Sequence, residues 1–179
     1  LDEAQKQLMR MDAPTSLINN HAFHRYVTDG ISVAFSKDGE ERVAQVKVID
    51  FEKPENNDWR AVNQFAIIAK PYHRRPDIIV FINGLPLAVI ELKHMVGAPT
   101  IDDAYRQLQT YKSQIPKLFN YNELMVISDG QHTKLGTLTS DESRFMPWKS
   151  IESEKPAPSA KLSIQVLIEG VFEKRRFLD

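Results

Sequence analysis

Two carboxylates and one ammonium bracket the longest apolar runs of the sequence. Asp77 opens the segment PDIIVFINGLPLAVIELK (Pro76 to Lys93), and Glu91 and Lys93 close it. Charges at the edge of apolar strands need a reason, because burying a lone carboxylate is costly unless it is paired or bound to a metal. Glu91 and Lys93 are two apart, so on a strand they leave the same face. Asn83-Gly84 is a strong hairpin signal, and with a loop of two to four residues simple antiparallel register sets Asp77 opposite positions 90 to 92. The three groups then converge at one end of the hairpin. Such a donor set suits a hard divalent cation, with the Leu92 backbone carbonyl as a third oxygen. The neighbouring Lys93 ammonium can hold a water or stabilise negative charge developing on a phosphorus centre.

The elements that must position these groups are legible in outline. From Leu1 to Asp29 apolar residues recur at three- and four-residue steps, and Pro14 divides the run into two helices, with Gly30 as a stop. Ile31 to Phe35, a turn at Lys37 to Glu40, and Val43 to Phe51 read as a strand pair. The loop KPENNDW leads to a β-rich run, Val62 to Ala69, which ends in the basic cluster Lys70, His73, Arg74 and Arg75. The two strands of Pro76 to Lys93 are apolar on both faces, as central strands are. Pro99-Thr100 opens a helix with Thr100 as N-cap and Asp103 three residues on. Ile101, Tyr105, Leu108 and Ile115 form its stripe, and Pro116 ends it. Glu123 to Ser128 and His132 to Leu138 are two further strands around Asp129-Gly130.

This order predicts an α/β fold, a central mixed sheet flanked by helices. Residues 1–150 form the expected domain, with a helical start at 1–30 and the mixed-sheet core at 31–140. Residues 151–179 read as a linker, Glu152 to Ala160, followed by the start of a helical segment from Leu162 to Phe172.

Composition narrows the classes. With 179 residues, 42% hydrophobic and 26% charged, the chain can bury a real core. No cysteine is present, which excludes disulfides, thiol catalysis and cysteine metal sites. No apolar run approaches the roughly 20 residues of a membrane helix, so no membrane is expected as a partner. The formal net charge of -1 lacks the overall basic field of many nucleic-acid binders. The first residues, LDEAQKQLMR, resemble no signal peptide and read as a piece of something longer.

Asp77 followed by Glu91-Leu92-Lys93 is the PD-(D/E)xK nuclease signature. Together with FEKPENNDWRAVNQF (Phe51 to Phe65), DDAYRQLQTYK, ISDGQHTKLGTL and FMPWKS, it makes the sequence from about residue 20 to 150 resemble a known family. That family is the N-terminal endonuclease domain of the restriction, or motor, subunit of type I restriction-modification enzymes.

The resemblance implies a PD-(D/E)xK (restriction endonuclease-like) fold and cleavage of DNA phosphodiester bonds with little sequence preference. It implies Mg²⁺ or Mn²⁺ at Asp77, Glu91 and the Leu92 carbonyl, and Lys93 assisting hydrolysis. It also matches the family's Q-x-x-x-Y motif to Gln107 and Tyr111, four apart on one helical face. Implied partners are DNA, methyltransferase and specificity subunits, and helicase-like motor domains of the same polypeptide, in the cytoplasm. ATP belongs to those motor domains, since no G-x-x-x-x-G-K-[ST] phosphate loop occurs here. The superfamily's further Glu on a helix ahead of the sheet has no clear match; Asp2 and Glu3 are the only acids in the first ten residues.

Plainer readings stand beside these. Asp77, Glu91 and Lys93 could cap a buried hairpin as ion pairs, in a catalytically inactive docking module. Tyr111 could be half-buried packing. Lys70, Arg74 and Arg75 are candidate DNA contacts or a solvated loop, and Gln64 lies near the cleft or is merely solvated. His21 and His24 lack a third ligand, and His94 is not taken as one. Lys174, Arg175 and Arg176 fit a helix that packs on, or leads into, further machinery.

Overall fold

The computed structural model describes residues 2–94, 100–152 and 155–179. Leu1, Pro99 of the expected helix opening, and residues 153–154 of the linker-like segment lie outside them.

Two helices come first, α1 (Asp2–Met9) and α2 (Ser16–Asp29), the latter stopped by Gly30, whose N–H bonds the Tyr26 carbonyl. A hairpin follows, β1 (Ile31–Lys37) and β2 (Glu40–Val46). Asp38 and Gly39 supply its left-handed turn, with φ of 58° and 83°. Next are β3 (Trp59–Asn63), the short pair β4 (Ile67–Ala69) and β5 (Tyr72–Arg74), then β6 (Ile78–Ile82) and β7 (Leu85–Leu92). Helix α3 (Ile101–Gln114) precedes β8 (Leu124–Ser128), β9 (Thr133–Gly136) and the two-residue β10 (Met146–Pro147). Helices α4 (Ser163–Val171) and α5 (Lys174–Leu178) close the chain.

The central sheet has six strands in the order β10-β9-β8-β7-β6-β3. Only β7 and β8 are parallel, with α3 as the crossover between them; the other neighbours are antiparallel. The fold is therefore α/β with a central mixed sheet flanked by helices. Ile79, Val89, Met125 and Ile127 leave one sheet face and pack on Ala104, Leu108 and Tyr111 of α3 and on Ile115, which caps it. Val80, Ala88, Ile90 and Val126 leave the opposite face and pack on Leu167 of α4. Both faces are covered, which is why the β6 and β7 sequences are apolar without alternation.

Two strand boundaries differ from the sequence reading. β2 ends at Val46 rather than continuing to Phe51. Beyond it Ile49 turns into the core, and Asn57 captures the Asp50 backbone, accepting from its N–H and donating to its carbonyl. Asn83, at the tip of the β6–β7 hairpin, also donates to Asn57 and to the Val48 carbonyl, so the N-N-D segment serves as a structural clasp. The run from Val62 to Ala69 is likewise not one strand. Gln64 interrupts it in the left-handed region, φ 52°, and the chain leaves the sheet to form the separate β4–β5 ribbon.

The last segment, expected as a linker and a helical start, packs onto the body. Leu167 is fully buried on the sheet, and Lys174 lies over the Trp59 ring of β3, 5.8 Å from its centroid. Gly170 sits so close to the Trp148 indole and the Ser150 carbonyl that a Cβ would collide with both. Residues 163–178 thus complete the second covered face of the sheet.

Candidate active site

Side-chain parity along β6 and β7 decides where the charged residues go. Asp77 continues the face of Ile79, and Glu91 and Lys93 continue the face of Val89, so all three belong to the side covered by α3. Register pairs Ile78 with Ile90, which sets Asp77 one step on, against Glu91, within the expected 90 to 92. A bulge between Val80 and Phe81 absorbs one residue nearer the turn and leaves this end in step.

Asp77 is held by two donors: Gln64 Nε2 reaches Oδ1 at 2.7 Å and the Leu92 N–H reaches Oδ2 at 2.8 Å. Lys93 is fixed by its own backbone, whose N–H donates to the Ser128 carbonyl at 2.7 Å and ties the end of β7 to β8. Its ammonium lies 2.7 Å from Glu91 Oε1. Glu91 is 3% exposed; its second oxygen, Oε2, makes no hydrogen bond of ordinary geometry, and the Tyr111 hydroxyl is the other polar group that acts on the carboxylate. A buried carboxylate oxygen without a donor is a costly arrangement that calls for a cause: strain, a catalytic role, or a water or ion that completes it.

The electrostatics follow from this geometry. Burial pushes the Glu91 carboxyl above its ordinary value, opposed by the Lys93 hydrogen bond and reinforced by the Asp77 charge. Tyr111, 4% exposed on α3, is pushed far above the ordinary phenol value by burial, with the Glu91 charge adding to it. Gln107 opposes that shift through its side chain, which joins the Q-x-x-x-Y pair to Glu91. The Tyr111 hydroxyl also donates to the Arg75 carbonyl at 3.5 Å. An open cleft of about 530 Å³ lies alongside, lined by Asn63, Gln64, Asp77, Ile78, Leu92, Lys93 and His94.

The chain belongs to the type I restriction enzyme R protein N-terminal family. Residues 2–144 match the family described as "Type I restriction enzyme R protein N terminus". The sequence is 36% identical, over its whole length, to the type I restriction enzyme HindI endonuclease subunit of Haemophilus influenzae, of which it covers 17%. It is 31% identical over 97% of its length to the putative type I restriction enzyme MjaIXP endonuclease subunit of Methanocaldococcus jannaschii, covering 18% of that protein. The chain spans under a fifth of these relatives.

Within this R-protein N-terminal domain, Asp77, Glu91, Lys93, Gln107 and Tyr111 come together. Gln64 touches Asp77 directly, a role its position on a β-rich run did not disclose. The basic cluster divides. Arg74 is held against α3, its Nε donating to Gln114 Oε1 at 2.5 Å, whereas Lys70 and Arg75 are exposed. Gln114 was missed in the sequence, although it extends the Gln107–Tyr111 face by three residues to positions i, i+4 and i+7.

His24 lies elsewhere, paired with Glu123 at 3.4 Å, and among the described residues no cluster of three His, Asp or Glu forms a metal cage. Glu3 is exposed on α1, the helix that packs against β1. No helix among the described residues is long and apolar enough to cross a membrane.

Proposed function

We propose that this domain is a divalent-metal-dependent DNA endonuclease with a PD-(D/E)xK fold. In this reading it is the cutting part of a type I restriction enzyme endonuclease subunit. The observation that carries it is buried Glu91, whose Oε2 makes no hydrogen bond of ordinary geometry, set among Asp77, Lys93 and Tyr111 on one sheet face. The donor set fits a hard cation: Asp77 and Glu91 supply carboxylate oxygens, and the Leu92 carbonyl lies between Glu91 and Lys93 in the chain. Each carboxylate oxygen has two lone pairs, so the donors already bound to Asp77 leave it coordinating capacity.

Bound Mg²⁺ or Mn²⁺ supplies Lewis-acid stabilisation of a phosphoryl oxygen. The chain's own residues do the rest. Lys93 donates hydrogen bonds to the attacking water and to charge developing on the phosphate. Glu91 Oε1 orients the Lys93 ammonium, Gln64 orients Asp77, and Gln107 and Tyr111 wall the buried side of the carboxylate. Water attacks phosphorus in line with the leaving oxygen, so that one P–O bond forms as the opposite one breaks, and the proton lost by the water is balanced by one taken up from solvent by the leaving oxygen. No recognition helix or zinc finger is evident in the sequence, so cleavage carries little base preference of its own.

Sequence recognition, methylation and ATP-driven translocation fall to specificity and methyltransferase subunits and to motor domains, in the enzyme this domain serves. The test is nicking of plasmid DNA by the assembled enzyme carrying Glu91→Ala or Lys93→Ala. Loss of cleavage with normal assembly and ATP hydrolysis is expected. Full cleavage in both variants would leave a docking module as the reading.

A further inference from the structure

The β4–β5 ribbon stands outside the main sheet, and its two faces differ in chemistry. Register pairs Ile67 with Arg74 and Ile68 with His73. Directly opposed residues share a side, so Ile67 and Arg74 mark one face and Ile68 and His73 the other. The first face is spoken for: Ile67 and Ala69 pack on the core under α3, and Arg74 bonds Gln114. The second face is open. Ile68 is 72% exposed, His73 is exposed beside it, Lys70 is at the tip and Arg75 at the foot.

Between Asp58 and Asp77 the sequence has no Asp or Glu, although the whole chain carries 24 of them. The near-neutral net charge therefore conceals a local basic element. It ends at the candidate site, since Arg75 is two residues, no more than ~7 Å of chain, from Asp77. Arg75 is itself anchored, its Nε donating to the Gln64 carbonyl at 3.3 Å, and Gln64 holds Asp77.

We propose that the outer face of this ribbon seats duplex DNA, with Lys70, His73 and Arg75 on phosphates and Ile68 against base edges in the groove. Three cation-bearing or N–H-donating side chains on the same ribbon as one exposed apolar residue, with no acid in the chain between Asp58 and Asp77, complement a polyanion with an apolar floor. A major groove admits a two-stranded ribbon, and an aliphatic side chain there meets thymine methyl groups. Contacts to phosphates fix register without reading sequence, and a single aliphatic contact to base edges adds only a weak preference. The inference rests on the nuclease reading for its purpose, but its test does not need cleavage.

Binding of a short fluorescein-labelled duplex to the protein in EDTA, followed by anisotropy over a series of salt concentrations, reads it directly. Lys70→Glu with Arg75→Glu should weaken binding about tenfold or more and reduce the log–log salt slope by about 2, one unit for each phosphate no longer neutralised. Lys37→Glu with Arg42→Glu on the β1–β2 hairpin makes the same charge change at a distance and should leave both quantities nearly unaltered. Ile68→Ala should weaken binding at an unchanged slope. Circular dichroism checks that each variant is folded.

Equal losses from the two charge-reversed pairs, or no measurable binding by the unaltered protein at low salt, would overturn the ribbon as a DNA seat. Binding unchanged by the Lys70 and Arg75 substitutions would turn the surface over to a protein partner. If Glu91→Ala leaves cleavage intact while the ribbon variant loses DNA, the nuclease reading falls and the ribbon stands.

Discussion

The Lys93 ammonium lies 2.7 Å from Oε1 of Glu91, and the other oxygen of that carboxylate is buried without a hydrogen bond of ordinary geometry. One neighbour thus satisfies half of the group, and the other half lies toward the Tyr111 hydroxyl. The arrangement is costly to stability, because burial raises the cost of keeping Glu91 ionised.

A pH dependence follows. The Glu91 carboxyl is raised above 4.5 in the fold, so the folded state holds its proton more tightly than the unfolded state does. Its contribution to stability is complete below about pH 4.5 and is lost as pH rises through the folded value. Glu123, raised by burial and only partly offset by His24, adds a parallel slope. Glu91→Gln should therefore raise the neutral-pH melting temperature of the metal-free protein and flatten its fall with pH, leaving the Glu123 share. Melting curves across pH check this; a variant less stable than the parent at neutral pH would contradict it.

Metal should reverse that balance. A ligand that binds only the folded state stabilises it by about 2.7 kcal/mol at one hundred times its Kd. Mn²⁺ should give a shift of that order in the unaltered protein and little in Glu91→Gln. Calorimetric titration of Mn²⁺ supplies the matching affinity, and equal binding by the two proteins would remove Glu91 from the metal site.

Gln64 acts through Asp77. Its Nε2 fixes one carboxylate oxygen, and removing such an outer partner of a ligand typically costs 10–100-fold in metal affinity. Gln64→Leu should weaken Mn²⁺ binding about tenfold while the melting temperature of the metal-free protein moves little. A residue that served only to end β3 would show the opposite split.

How far the sequence disclosed this site depended on whether its signals were local. The β6–β7 hairpin was legible because Asn83-Gly84 fixes the turn and the apolar runs on either side fix register, which brings Asp77 against Glu91. The break at Gln64 was not, because the β-forming residues Val62, Phe65, Ile67 and Ile68 lie on both sides of it and a left-handed glutamine carries no local cue. Its cause is remote: bonds to Asp77 and Arg75, more than ten residues away. The division of the basic cluster had the same character, since Arg74 is taken by Gln114, forty residues on.

Tyr111 separates packing from chemistry. Truncating a buried aromatic to alanine costs about 3–5 kcal/mol, so Tyr111→Ala should destabilise the domain heavily. Tyr111→Phe keeps the ring and removes only the hydroxyl and its 3.5 Å bond to the Arg75 carbonyl, for about 1 kcal/mol or less. If the hydroxyl supports Glu91, Tyr111→Phe should still lower cleavage by the assembled enzyme. Unchanged cleavage in a stably folded Tyr111→Phe protein would leave the tyrosine as packing alone.

Helices α4 and α5 belong to the cooperative unit of the sheet. If residues 163–178 were a loosely attached lead into another region, substitutions there would leave the sheet's stability untouched. The packing argues otherwise, because Leu167 is fully buried among Val80, Ala88, Ile90 and Val126. Leu167→Ala should cost about 2–5 kcal/mol. Gly170→Ala, which drives a methyl into the Trp148 indole and the Ser150 carbonyl, should cost about 1–3 kcal/mol despite alanine's better helix propensity. Both losses should appear in one cooperative urea transition shared by β-sheet and tryptophan signals. A separate early transition for the helices would instead mark residues 163–178 as an appendage.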